Sequence, residues 1–311
     1  MPVALSKGTY VVLAEREDGL LRAESEQFSG QSLELPLSAL RPGRTRGWSA
    51  YLEGALWAAR EAWGPLPGLD LQVAADLPMA KGLSSSASIG CALVRAVADL
   101  LDVSPSVEEL IRVAHMAETR YVGVRCGVLD QTAIFMGRED SVLHYDCGTL
   151  ASEHLPLDSK AALVAVVDSG AARDLVASAF NVRVAECAQA LELLQQHLPE
   201  VTRLRDVLPT EFESLADCLP HPLRSRVRHV VHEQQRTVLG VAALRRGDLA
   251  GFGTLMSAAH HSLRYDYEVS TPELDALAGA AAVVPGCYGA RLTGAGFGGC
   301  VVALVHPDAR S

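Results

Sequence analysis

Pro78 to Ser88 reads PMAKGLSSSAS and runs straight into Ile89-Gly90-Cys91-Ala92-Leu93-Val94-Arg95-Ala96-Val97, whose apolar spacing predicts a helix. A small-residue turn that feeds a helix leaves the first backbone N–H groups of that helix unpaired and aimed at one point. The helix dipole adds partial positive charge there, so the point favours an anion, and phosphate above all. Gly82 lets backbone approach a ligand closely, and serine hydroxyls can donate to phosphate or ligate a hard cation. An ordinary helix needs one capping serine, whereas four of the five residues from Ser84 to Ser88 are serine. The stretch is a phosphate site. It is not a Walker loop, because G-x-x-x-x-G-K-[ST] occurs nowhere in the chain.

The chain around this loop has 311 residues, enough for two domains, with an apolar fraction of 49% and a charged fraction of 21%, typical of globular proteins. A net charge of −10 argues against nucleic acid or an anionic membrane surface as partner. An acidic ligand must then be held by local donors and a cation rather than by the overall field. No apolar run approaches a membrane span, and the start, MPVALSKGTYVV, lacks a basic n-region and cleavage site. The seven cysteines are odd in number, scattered and without a C-x-x-C pair, a pattern of the reducing cytoplasm.

Working outward, Thr9 to Ala14 reads as a strand, and Glu17-Asp18-Gly19 as a hairpin turn into Leu20 to Ser25. Trp48 to Trp63 has helical spacing and stops at Gly64-Pro65, and Leu69 to Ala75 is a strand delivering the chain to the serine loop. A helix is predicted over Val107 to Arg120 and a strand over Ser141 to Cys147. Ala161 to Val167 is a buried-strand pattern that opens a different composition. Helices follow over about Asp174 to His197, Pro222 to Arg246 and Leu249 to Leu263. Strands at Tyr288 to Leu292 and Cys300 to Val305 then flank a glycine loop. The change of pattern places a domain boundary near residue 158.

Two further segments bear on chemistry. Glu118 to Gln131 reads ETRYVGVRCGVLDQ, in which Asp130 precedes a short helical pattern. By position alone Asp130 is an N-cap, and Glu118 is a solvated helix residue beside Arg120. A carboxylate could equally accept the proton of an attacking hydroxyl, or align it, in a phosphoryl transfer. Tyr288 to Val305 reads YGARLTGAGFGGCVVALV, and Gly294, Gly296 and Gly299 satisfy G-x-G-x-x-G. The dinucleotide reading fails on context, since the fingerprint must open a helix and a strand pattern follows here. His260 and His261 have no ligand partner at useful spacing and read as helix residues.

These three segments together resemble the GHMP small-molecule kinases, and within them the galactokinase family. PMAKGLSSSAS is similar to the family's P-x-x-x-G-L-S-S-S-A, GVLDQ to G-[IV]-[ML]-D-Q, and the glycine loop to the third family motif. DSGAARDLVASAFNVRVAEC, RVRHVVHEQQR and LMSAAHHSLRYDYEVSTPEL match galactokinase segments in order, so the resemblance covers nearly the whole chain. It implies an α/β (α+β) protein of the GHMP kinase fold with two domains and the active site between them. Residues 1–158 would form the amino-terminal domain with the serine loop, and residues 159–311 a ferredoxin-like carboxyl-terminal domain. The implied activity is ATP-dependent phosphorylation of galactose at the anomeric hydroxyl. ATP would be bound by Ser25, Ala80, Lys81, Gly82, Leu83, Ser84, Ser85 and Ser86, and Mg2+ by Ser86 and Glu118. Asp130 would be the general base or orienting group, with Gly127, Asp130 and Phe180 at the sugar.

The sequence departs from the family in places. The signature P-G-R-x-N-L-I-G-E-H-T-D-Y does not occur in these 311 residues, and the chain starts just downstream of where it would stand. In the family its arginine steers the catalytic aspartate, and its Glu-His-Asp cluster grips the sugar. The expectation is that efficient turnover needs such an upstream segment. The carboxyl end also looks short, since relatives continue with a further helix and strand. Phe180 stands where the family usually has a tyrosine, which keeps the ring and loses one polar contact, worth about 0.5–1.5 kcal/mol. Three alternatives stay open at this point: a kinase of a related sugar such as N-acetylgalactosamine, a non-catalytic relative that senses sugar and nucleotide, and a truncated relative.

Overall fold

Alternation of apolar and polar residues builds the first sheet. In the computed structural model, residues 1–43, 47–78, 82–124, 126–171 and 176–310 are described, without the side chains of 176–178 and 310. The chain divides into two compact units, Met1–His154 and Leu155–Ser311. In the first, β1 (Thr9–Arg16), β2 (Leu20–Ser25), β3 (Ser32–Pro36) and β4 (Gly68–Ala75) form one sheet in the order β1-β4-β2-β3. Leu21, Ala23, Leu69, Leu71 and Val73 point inward, while Tyr10 and Val12 on the opposite face are 60% and 66% exposed. The predicted hairpin between β1 and β2 is not formed. β4 lies between them, antiparallel to β1 and parallel to β2, so residues 17–19 link two strands that never pair. Both strands gain more by pairing with the apolar β4 than a three-residue turn could enforce. A side chain at Gly68 would collide with Arg16 and with the Gly19 backbone at 2.9 Å, so the start of β4 lies tight against this link.

The inner face of the sheet packs on α1 (Trp48–Trp63) and α2 (Ser85–Leu100), with Leu52, Leu56, Val94 and Val97 fully buried in the shared core. α3 (Val107–Met116) packs against both helices. It is capped by Ser106, which accepts from the Glu109 N–H at 3.2 Å. Beyond Met116 the helix continues as a π-helical turn, Ala117–Val122, and α4 (Leu129–Met136) follows. β5 (Ser141–Tyr145) and β6 (Ser152–Pro156) pair as a two-stranded sheet where the first unit ends.

The second unit opens with β7 (Leu163–Asp168) and α5 (Val176–Gln195); the start of the helix predicted from Asp174 lies outside the described residues. α6 (Pro209–Leu215) and α7 (Leu223–Arg245) complete a helical core around Leu194, Phe212 and Val227. Fully buried in this unit, the Arg226 guanidinium donates to Glu186 at 2.8 Å, Glu268 at 2.7 Å and the Asp266 carbonyl at 2.6 Å. α8 (Leu249–Tyr265) and α9 (Pro272–Ala282) cover a sheet of order β7-β9-β8, with β8 at Cys287–Leu292 and β9 at Cys300–Val305. The loop between β8 and β9 leads into a strand, so its glycines do not open a helix. Gly294, Gly296, Gly298 and Gly299 all take positive φ there. The loop is pinned by the Phe297 N–H donating to the Val269 carbonyl at 2.7 Å.

Candidate active site

The serine run does not behave as a simple cap. Ser84 precedes α2 at φ +57° in the left-handed region, and its side chain makes no capping hydrogen bond. Gly82 is also left-handed, at φ +79°. Two of the three residues from Gly82 to Ser84 are thus left-handed, and Ser84 stands at the N-cap position without capping through its hydroxyl. Ser85 and Ser86 are the first helical residues, so their N–H groups are among those without helical partners. Ala80 and Lys81 lie outside the described residues.

Glu118 is carried by the π-helical turn that prolongs α3. Such turns insert an extra residue into the hydrogen-bond ladder and are frequent at functional sites. The turn delivers the Glu118 side chain inward, where it is 6% exposed, rather than outward as a solvated helix residue. One carboxylate oxygen, Oε1, accepts from Gln131 Nε2 at 2.8 Å, and the other, Oε2, faces Ser86 Oγ at 3.5 Å. The second distance is long for a hydroxyl–carboxylate bond, which usually spans about 2.5–3.0 Å. Burial pushes the Glu118 carboxyl up to about 7, the nearby negative charge of Asp130 pushes the same way, and the bonds from Gln131 and Ser86 only partly offset them. The same two carboxylates add to burial in pushing the Cys126 thiol up to about 11.

Asp130 is not an N-cap. Val128 occupies that position, and Asp130 lies exposed in the first turn of α4, beside the buried Gln131 and Thr132. The Thr132 hydroxyl donates to the Val128 carbonyl at 2.8 Å and fixes the entry to the helix. His115 Nε2 lies 2.9 Å from the Cys126 carbonyl and ties the end of α3 to the segment leading into α4. Gly127 is exposed, and a Cβ built there would meet nothing within 4 Å, so internal packing does not require glycine at this position.

The structure therefore brings Ser86, Glu118 and Asp130 into one electrostatic cluster at the amino-terminal end of α2, although Ser86 and Asp130 belong to separate motifs. Ser25 is not drawn into that cluster. It ends β2 with Oγ 3.5 Å from Gln27 Oε1. It lines an open concavity of about 640 Å³ with Tyr10, Val12, Gln31 and Gln72, and Ser86, Glu118 and Asp130 are not among its lining residues. Phe180 is half-buried on α5 in the second unit. Sequence reasoning gave no role to Gln131 or His115 and did not foresee the π-helical turn. Gln131 sits in a motif, yet nothing in its residue type says which carboxylate it meets.

Comparison with known proteins gives the family. The family model of the GHMP kinases N terminal domain matches residues 50–138, and that of the GHMP kinases C terminal domain matches residues 241–311. A galactokinase of Roseiflexus sp. is 42% identical over 305 residues, covering 98% of this chain and 77% of the relative. The Homo sapiens galactokinase is 38% identical over 99% of this chain and 79% of its own length. Among solved structures, Lactococcus lactis galactokinase complexed with galactose superposes with a TM-score of 0.93 at 34% identity, covering 98% of this chain and 79% of that one. Methanococcus jannaschii mevalonate kinase, at 18% identity and a TM-score of 0.66 over 96% of this chain and 81% of its own, shares the fold. The chain belongs to the GHMP kinases, and within them to the galactokinase family.

Proposed function

We propose that the chain transfers the γ-phosphoryl group of ATP to the anomeric hydroxyl of galactose, giving galactose 1-phosphate and ADP. The observation that carries this reading is the convergence of Ser86, Glu118 and Asp130 at the start of α2. In the reaction the sugar O1–H bond is lost, an O1–P bond forms and the bond from Pγ to the β,γ-bridging oxygen breaks. Little covalent work falls to the protein, so catalysis rests on positioning and charge stabilisation. The loop from Ala80 to Ser86, with Ser25 on the nucleotide side, binds ATP through backbone N–H groups and hydroxyls. Asp130, exposed at the helix start, accepts or aligns the proton of the sugar hydroxyl. Gly127 leaves open space for the sugar.

Residues of this chain also fit a magnesium ion. Burial first and the negative charge of Asp130 second hold the Glu118 carboxyl up at about 7, and a divalent cation would offset both. Among the described residues no group of three or more His, Cys, Asp or Glu side chains gathers to hold a metal. Glu118 and Ser86 would therefore share the ion with phosphate oxygens and water, as magnesium prefers. When bound, the ion neutralises charge on the transferring phosphoryl group. A cytoplasmic setting belongs to the same reading and rests on the scattered, odd-numbered cysteines. Among the described residues no helix is long and apolar enough to cross a membrane.

The test is phosphorus NMR of the purified chain with ATP, magnesium and galactose, run beside N-acetylgalactosamine and glucose. A galactose 1-phosphate signal that outpaces the other sugar phosphates is expected. Faster phosphorylation of N-acetylgalactosamine or of glucose would overturn the assignment.

A further inference from the structure

We infer that Gln131 is a positioning residue that holds the Glu118 carboxylate in the orientation needed for a divalent cation. The inference deepens the proposed function and rests on its reading that Glu118 and Ser86 hold the ion. Gln131 is 1% exposed on α4, and its amide nitrogen donates to Glu118 Oε1 at 2.8 Å. That bond uses one carboxylate oxygen and stops the group from rotating. The other oxygen, Oε2, is left facing Ser86 Oγ at 3.5 Å, so the two prospective ligands point into the same space.

The residue type matters. A lysine or arginine here would pair with Glu118 and bring a positive charge to compete with the ion. An acid would add a further negative charge to a cluster that already contains Asp130. An apolar side chain would leave a buried carboxylate oxygen without a donor. A neutral amide avoids all three, but at a structural cost: Gln131 Oε1 is buried without a hydrogen-bond partner. Buried orphan acceptors are uncommon in native proteins and each calls for a reason. Here the fold tolerates an unused carbonyl because the other half of the amide is needed at Glu118. Partners that orient metal ligands in this way typically account for about 10–100-fold in metal affinity.

The experiment is calorimetric titration of ADP into wild type, Gln131→Met and Gln131→Asn, with and without magnesium, together with thermal unfolding of each. Methionine keeps the length and removes both the donor and the orphan carbonyl. Asparagine keeps the amide but is one methylene too short to reach Glu118. Both variants are expected to fold, to bind ADP alone as wild type does, and to lose about 10–100-fold in magnesium affinity measured through ADP binding. Methionine exchanges the orphan Gln131 carbonyl for an undonated Glu118 Oε1, so its thermal stability is expected to stay close to wild type while its magnesium dependence falls, which distinguishes positioning from a merely structural role. Magnesium dependence equal to wild type in both folded variants would overturn the inference and leave the proposed site intact. Failure of both variants to fold would also overturn it, since Gln131 would then serve the core. A wild-type protein whose ADP affinity ignores magnesium would instead sink the metal reading itself, and the inference with it.

Discussion

Asp130 stands exposed at the start of α4 while Glu118 is buried close to it, and the two carboxylates suit different work. An exposed carboxylate can meet a substrate hydroxyl, whereas a buried one raised to about 7 is stabilised by a cation. Binding and turnover should therefore separate by residue. Asp130→Asn is expected to lower turnover by about 10²–10⁴-fold, the usual worth of general acid–base work, with ATP affinity little changed. Gly82→Val should do the reverse, because φ +79° is strained for a β-branched residue and the backbone there must approach phosphate. Steady-state rates beside calorimetric ATP affinities check both. An Asp130→Asn protein of near wild-type turnover would remove the aspartate from its role. ATP binding unmoved by Gly82→Val would put the phosphate site elsewhere.

At the scale of elements, two features organise what the segments themselves do not. One is the π-helical turn at Ala117–Val122, which converts a helix-surface glutamate into a buried site residue. The other is the crossing of α8 on β8. A Cβ at Gly253 would lie 2.1 Å from the Tyr288 carbonyl oxygen, and one at Gly289 would lie 1.9 Å from the Gly253 carbonyl oxygen. Both collisions are with backbone, so no rotamer change relieves them. Gly253→Ala is expected to destabilise the second unit by about 3 kcal/mol, the upper part of the range for overpacking. Gly289→Ala should cost a similar amount, and the double variant less than the two together, because both open the same contact. Urea unfolding followed by circular dichroism gives these values, and an unchanged midpoint for Gly253→Ala would contradict the close crossing.

For the molecule as a whole, the second unit carries an acid-sensitive residue in its core. His229 on α7 is 6% exposed, lies 3.0 Å from the Ser262 hydroxyl through Nδ1 and stacks on Tyr267 at 4.4 Å. Ser262 donates onward to Asp266 at 2.9 Å, so its oxygen accepts from His229. Burial drives the imidazole down to about 4; the charges of Arg236 and Arg291 add to this, while Glu233 and Asp266 oppose it. The folded protein thus refuses a proton that the unfolded chain accepts near pH 6.5, the ordinary histidine value. The resulting stability is fully present above pH 6.5 and is lost as pH falls towards 4, by about 3 kcal/mol in all. Urea midpoints measured across that window should fall with acid, and less steeply in His229→Asn. An identical slope in the variant would show that His229 is not the group responsible.

The sequence by itself determined the fold family and most elements, because its signals are local. The serine loop, GVLDQ and the glycine loop are each a continuous run, α1 was predicted at the bounds Trp48–Trp63, and β4 differs by one residue. A helix period or a strand alternation is written in neighbouring residues, so no long-range knowledge is needed to see it. Only the tertiary structure decided what depends on residues far apart. It set β4 between β1 and β2, where a turn had suggested a hairpin, since strand order follows which faces can be buried together. It turned Glu118 inward, moved Asp130 from cap to first turn, and joined Gln131 to a carboxylate 13 positions away. Residue types said that carboxylates, serines and an amide were present. Which of them met, at what distance and out of water, was fixed by packing.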